Sequence, residues 1–200
     1  MKKAFTLIEM LVCLAVIAIV SVMLFSVFRA KPNSNMVMFR KAYNITSTTL
    51  YELFQASTYY ESGSLNVLEP TAEVINNERP SGETKFCKVF GHFVNTIDVP
   101  NCNKGNSEPS FTTLDGIDWY LPPKTTSGNF NGEEIIRVDV NGADNLPNCK
   151  DGSECACINA NDKNCVEPDI FEFHIVNSGK MYIRGPVAKQ YLKNSRKISK

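Results

Sequence analysis

The chain opens with an apolar run from Phe5 to Phe28 in which only Thr6, Glu9, Ser21 and Ser26 are not apolar, and no Pro or Gly interrupts it. As an α-helix these 24 residues would extend about 36 Å, against a hydrocarbon core of roughly 30 Å. In lipid the backbone must satisfy its own hydrogen bonds, so helix is the only open-chain form for such a segment. Lys2 and Lys3 precede the run and would stay cytoplasmic, because basic flanks are retained on that side. A cleaved secretory signal has an apolar region of about 7–15 residues and a small-x-small cleavage site. This run is longer, and Phe28-Arg29-Ala30-Lys31 is a poor site. A plain single-pass anchor explains the length but not Glu9, since a carboxylate inside a membrane segment costs a few kcal/mol and usually has a partner. Close to a helix end, such a side chain also has the option of reaching water.

Lys2-Lys3-Ala4-Phe5-Thr6-Leu7-Ile8-Glu9-Met10 resembles the class III signal of type IV pilins and type II secretion pseudopilins. The resemblance implies that a prepilin peptidase cuts between Ala4 and Phe5 on the cytoplasmic side and methylates the new N-terminus at Phe5. Glu9 then becomes the fifth residue of the mature chain. The family pattern has Gly before the cut; Ala4 stands there in this chain, which implies slower processing. The physics suits the resemblance. The Phe5 α-amino group is cationic below a pKa of about 8. Glu9 of a neighbouring subunit would neutralise it inside an apolar filament core and fix the axial stagger, a register role for which buried polar groups are well attested.

Beyond the run, Pro32 removes an N–H donor and ends or kinks the helix near Phe28 to Lys31. Asn33, Ser34 and Asn35 offer a helix N-cap. Met36, Phe39, Tyr43, Thr46, Leu50 and Leu53 then recur at helical spacing, with Arg40, Lys41, Asn44 and Ser47 off the stripe. Tyr59 to Gly63 close that pattern. Glu83 to Phe93 reads as a short helix carrying Phe86, Phe90 and Phe93. Strands are expected at 110–114 and 117–121 around Asp115-Gly116, at 135–140, and at 170–176 and 180–184 around Asn177-Ser178-Gly179. The expected organisation is a leader at 1–4, an assembly helix at 5–28, an amphipathic helix at 29–63, a β-rich head at 64–186 and a basic tail at 187–200. The fold class is α+β, a long N-terminal helix packed on a small antiparallel sheet, as the resemblance to pilins also implies. Lys189, Lys193, Arg196, Lys197 and Lys200 give the tail its charge, and a solvated, frayed terminus is expected.

Of seven cysteines, Cys13 lies in the apolar run and reads as a small apolar residue. The other six, Cys87, Cys102, Cys149, Cys155, Cys157 and Cys165, read as a disulfide framework in a head outside the cytoplasm. Cys87 with Cys102 is the preferred local pair. Cys155 and Cys157 are too close to bond each other. Cys149–Cys157 with Cys155–Cys165, or Cys149–Cys165 with either partner left free, stay open. The spacing does not match a paired Cys-x-x-Cys zinc site. Asp139-Val140-Asn141-Gly142-Ala143-Asp144 places oxygen ligands at alternate positions, as calcium loops do, and some pseudopilins carry calcium in a loop of this region. Asp139, Asn141 and Asp144 are therefore candidate calcium ligands, with Asp151, Glu154 and Asp162 as further donors. The competing reading is an Asx turn ending a strand at Gly142.

Catalytic patterns are lacking: His92 and His174 are the only histidines, and no nucleophile elbow, phosphate loop or zinc-protease motif occurs. Strand alternation places His174 on the solvent face or in an ordinary pair. The formal net charge is zero, which argues against a dedicated nucleic-acid binder. Two functions follow. One is a structural pilin or pseudopilin subunit, inserted in the inner membrane with its head outside the cytoplasm. It would be processed by prepilin peptidase, engage the inner-membrane assembly platform and polymerise with other pilin-like subunits into a cell-surface or periplasmic filament. The other is a membrane-anchored extracytoplasmic binding domain that does not polymerise.

Overall fold

The computed structural model describes residues 10, 12–14, 16–17, 34–61, 63–65, 68–94, 96–103, 108–122, 133–157 and 165–195. Contacts divide the chain into two units, Met1–Ser34 and Asn35–Lys200. In the first, Met10, Val12, Cys13, Leu14, Val16 and Ile17 are helical and exposed.

The second unit begins with α1 (Ser34–Gln55), whose buried residues are Phe39, Ala42, Thr46, Thr49, Leu50 and Leu53. Steps of three and four put these on one face, which is what an amphipathic helix packed on a core requires. Met36 and Tyr43 flank this stripe, partly buried. Thr46 is tolerated inside because its hydroxyl donates to the Ala42 carbonyl at 2.8 Å. The helix ends short of the expected Tyr59–Gly63. Instead the chain turns, with the Tyr59 N–H donating to the Ala56 carbonyl at 3.1 Å. The turn buries Tyr59 and Tyr60 in the core rather than leaving them on the helix surface. Tyr59 meets Phe93 edge-on at 5.3 Å.

A single 3-10 turn, Gly82–Thr84, leads into α2 (Lys85–Phe93), which buries Phe86, Cys87, Val89 and Phe90. Lys85 is also buried, only 2 % exposed. Its Nζ donates to the Glu69 carbonyl at 2.8 Å and lies 4.5 Å above the Tyr60 ring. Burial lowers the Lys85 pKa, and Glu69 and Glu61 oppose that shift.

Five strands follow: β1 (Phe111–Thr112), β2 (Asp118–Tyr120), β3 (Glu134–Asp139), β4 (Ile170–Ile175) and β5 (Met181–Ile183). They form one antiparallel sheet in sequence order. The central pair runs from Glu134 opposite Ile175 to Asp139 opposite Ile170. Ile136 and Val138 of β3, with Phe171, Phe173 and Ile175 of β4, are fully buried on one face. α1 covers them: the Phe39 ring lies 4.6 Å from Phe171 and 5.9 Å from Phe173. Gly179 turns the β4–β5 hairpin at φ +72°, and a Cβ there would meet the Phe54 ring at 2.1 Å. Only glycine serves both needs. The architecture is α+β.

The C-terminal segment departs from the expected frayed tail. Pro186–Ser195 forms a helix, α3, with Val187, Ala188 and Tyr191 buried. Pro186 suits the first helical position, where an N–H would lack a partner. The Tyr191 ring lies 5.8 Å from Phe39 and 5.9 Å from Phe171. Arg40 of α1 donates to the Tyr191 carbonyl from Nε at 3.0 Å and from Nη2 at 2.7 Å, tying α3 to α1. Lys189 and Lys193 are exposed; Arg196, Lys197 and Lys200 lie outside the described residues. The tail docks because every third or fourth residue is apolar or aromatic, a pattern masked in the sequence by its lysines.

Candidate functional site

The processing residues Ala4 and Phe5, and the assembly residue Glu9, lie outside the described residues. Next to them Met10, Val12, Leu14, Val16 and Ile17 are between 54 and 64 % exposed. Cys13 is a free, exposed thiol. Among the described residues no helix is long and apolar enough to cross a membrane; most of Phe5–Phe28 falls outside them.

In the head, Cys87 of α2 is bonded to Cys102. Cys149 is bonded to Cys155, and Cys157 to Cys165. Cys155 and Cys157 do bond outward, but neither of the pairings left open by the sequence is formed. The reason is the path of the chain. Two isolated bridges tie segment 149–157 to 166–170, Lys150 to Ile170 and Ala156 to Val166, and the Cys157 N–H donates to the Val166 carbonyl at 2.9 Å. The second bridge sets Cys157 beside Cys165, at a Cα–Cα distance of 4.9 Å. The turn at 151–154 returns Cys155 to Cys149, at 6.0 Å. Both distances lie in the range a disulfide needs.

The loop after β3 is organised by three buried aspartates. Asp139 Oδ1 accepts the N–H of Asn141 at 3.3 Å and of Gly142 at 3.1 Å, which is the Asx turn. Asp118 of β2 accepts the Thr112 hydroxyl at 2.5 Å and the Ala143 N–H at 2.8 Å. Asp169 accepts the Cys149 N–H at 2.6 Å, the Asn148 N–H at 2.9 Å and the Asn141 Nδ2–H at 3.1 Å. Burial, and then the neighbouring Asp169 carboxylate, push the Asp139 pKa up to about 6, against the two N–H donors of the turn. Asp139 and Asn141 thus meet as parts of a turn, whereas Asp144 is exposed. Asp151 points elsewhere, to the start of α3; Glu154 is exposed, and Asp162 lies outside the described residues. Among the described residues no group of three or more His, Cys, Asp and Glu could hold a metal ion. Asp118 and Asp169 were absent from the sequence-derived set because each is brought in by strand pairing, from 21 and 30 residues away. His174 is buried, with Nδ1 3.1 Å from Glu133 and Nε2 3.9 Å from Glu172, two residues before it on β4.

Residues 1–25 match the family model of the prokaryotic N-terminal methylation motif. The N-terminus is a type IV prepilin signal. No curated protein and no solved structure matches the chain. The prepilin signal implies a membrane-anchored precursor, processing by a prepilin peptidase and assembly with pilin-like subunits. The match ends before the head begins, so the identity of the signal and the architecture of the head are independent findings. They are compatible. The core from Phe39 to Tyr191 closes within the second unit.

Proposed function

We propose that this chain is a structural, non-catalytic subunit of a type IV pilus or type II secretion pseudopilus. Phe5 to Phe28 inserts in the inner membrane with the head outside the cytoplasm and continues toward α1 as a long helix. Prepilin peptidase cuts between Ala4 and Phe5 and methylates Phe5. The mature subunit leaves the membrane for a filament in which Glu9 pairs with the Phe5 amine of a neighbour. The match of residues 1–25 to the methylation motif carries this reading. The exposed apolar side chains of the helical residues Met10, Val12, Leu14, Val16 and Ile17 support it, because such a surface in water carries a free-energy cost that lipid or a helical neighbour removes. So does the disulfide-bonded head, which suits an oxidising compartment.

The test is recovery of the chain from cells in which it is expressed with its assembly machinery. The proposal expects the mature chain in a polymer released by shear or held in the envelope, with cross-links between N-terminal helices of neighbouring subunits. Recovery solely as a membrane-embedded monomer would contradict it and favour the anchored binding domain.

A further inference from the structure

α3 has no capping side chain of its own, since Pro186 opens the helix and Gly185 and Arg184 precede it. Its N-terminus is capped from a distant loop. Asp151 Oδ1 accepts the Val187 N–H at 3.1 Å, and Oδ2 accepts the Ala188 N–H at 2.9 Å. The carboxylate is 8 % exposed, and a Cβ on Gly185 would lie 1.9 Å from Oδ2, so the helix start is shaped around it. Asp151 sits within the loop closed by Cys149–Cys155. Its own N–H donates to the Ile170 carbonyl at 2.8 Å, and the Ser153 hydroxyl donates to the Lys150 carbonyl at 2.5 Å. The side chain that holds α3 is therefore aimed by a turn that one crosslink closes.

We propose that the Cys149–Cys155 disulfide is a redox latch for the C-terminal helix. When closed, it presents both Asp151 oxygens to the first N–H groups of α3. When opened, it frees the 151–154 turn, removes the cap and releases α3 from the core while the five-stranded sheet remains. Cys155 is exposed and Cys149 is buried, which sets the route of opening. A thiolate of a dithiol reductant attacks Cys155 Sγ, the bond to Cys149 breaks, and Cys149 leaves as a thiolate that takes a proton from water. The second thiol of the reductant then displaces Cys155, ending as a disulfide while both cysteines end as thiols. Closing is the reverse, with a disulfide-form oxidant reduced to the dithiol. Under the topology proposed above, docking of α3 would follow arrival of the head in the oxidising compartment; the latch itself does not depend on that topology.

Hydrogen exchange on the full-length chain in detergent tests the latch and is blind to filament assembly. In the Cys149→Ser/Cys155→Ser double variant, amides 187–195 should exchange about tenfold faster or more, with β3 and β4 unchanged. Asp151→Ala in the oxidised chain should reproduce the change, and the Cys157→Ser/Cys165→Ser double variant should not. Where the first double variant yields no folded protein, mild dithiol opening of the wild-type bond gives the same reading. Unchanged exchange in α3 after opening would overturn the latch. Loosening of β4 together with α3, or equal release by opening Cys157–Cys165, would overturn it as well.

Discussion

The two units of this chain treat apolar side chains in opposite ways. In the head, Phe39, Leu53, Phe90, Ile136, Phe171 and Phe173 are fully buried by other parts of the head. In the N-terminal unit, Met10, Val12, Leu14, Val16 and Ile17 are helical and more than half exposed. Hydrophobic burial stabilises at about 25 cal/mol per Å² whoever supplies the cover. In the head the cover is the chain itself, so this unit carries the information for its own fold. In the N-terminal segment the cover must come from elsewhere, and under the proposed function lipid or a neighbouring helix supplies it, so this unit would carry the information for location and assembly. A motif match confined to residues 1–25 fits that division: under the proposed function the segment answers to a peptidase and a polymer, while the head answers mainly to its own packing.

The largest expected effect lies in the N-terminal unit. Glu9→Ala should leave the chain inserted but leave the neighbour's Phe5 amine unpaired in an apolar setting. Removing one partner of a buried pair costs about 3–5 kcal/mol, which should reduce recovered polymer by roughly a hundredfold or more. Filament yield at equal membrane content checks this, and normal assembly of the variant would remove the proposed role of the carboxylate.

A matched pair of truncations probes the contrast directly. Phe173→Ala, in the fully buried layer under Phe39, should destabilise the head by about 3–5 kcal/mol. Val16→Ala, which is 54 % exposed, should change head stability by less than about 0.5 kcal/mol. Denaturant unfolding followed through Trp119 fluorescence measures both. A large effect of Val16→Ala on the head would break the separation.

The next effect concerns Cys87–Cys102, which closes a loop of 15 residues between α2 and the segment leading to β1. Cys87→Ser/Cys102→Ser should lower head stability by about 3 kcal/mol, from the freedom regained by the unfolded chain. The midpoint of denaturant unfolding should fall accordingly, with no change in cleavage at Ala4.

Asp139 gives a pH-dependent effect, the most diagnostic of these. Its pKa is raised from 3.8 to about 6, so between those values the folded head holds more protons than the unfolded chain. Stability should therefore fall as pH rises through that window and level off above it. Asp139→Asn retains an Oδ1 acceptor for Asn141 and Gly142 without the charge. The variant should gain stability relative to wild type as pH rises from about 4 to about 6. Thermal unfolding across this range measures the difference, and parallel curves for the two proteins would contradict the assignment.

Much of the head was legible because its signals are local. Period-two alternation gave Glu134–Asp139 and Ile170–Ile175 to within a residue or two, and Asp115-Gly116 and Asn177-Ser178-Gly179 marked the hairpins. The α1 stripe was legible at Phe39, Thr46, Leu50 and Leu53, while Ala42 and Thr49 were missed because small and polar residues give no hydrophobic signal. What was not legible depends on partners far along the chain. α3 looked like a frayed tail because its cap, Asp151, lies 36 residues before Val187. Cys149–Cys155 and Cys157–Cys165 follow from two isolated bridges between irregular segments, Lys150 to Ile170 and Ala156 to Val166, which no pattern in either segment announces. In the β3 loop, spacing shows which oxygens are near one another but not that Asp139 Oδ1 accepts the Asn141 and Gly142 N–H groups.

The central claim is that the N-terminus is made to be cut and modified before it assembles. Intact-mass measurement of the chain purified from cells that contain a prepilin peptidase tests it most directly. The account predicts loss of Met1 to Ala4 and gain of one methyl group at Phe5, with Ala4→Gly giving the same mature mass sooner. A chain that retains Met1 to Ala4 in the presence of an active peptidase would contradict it.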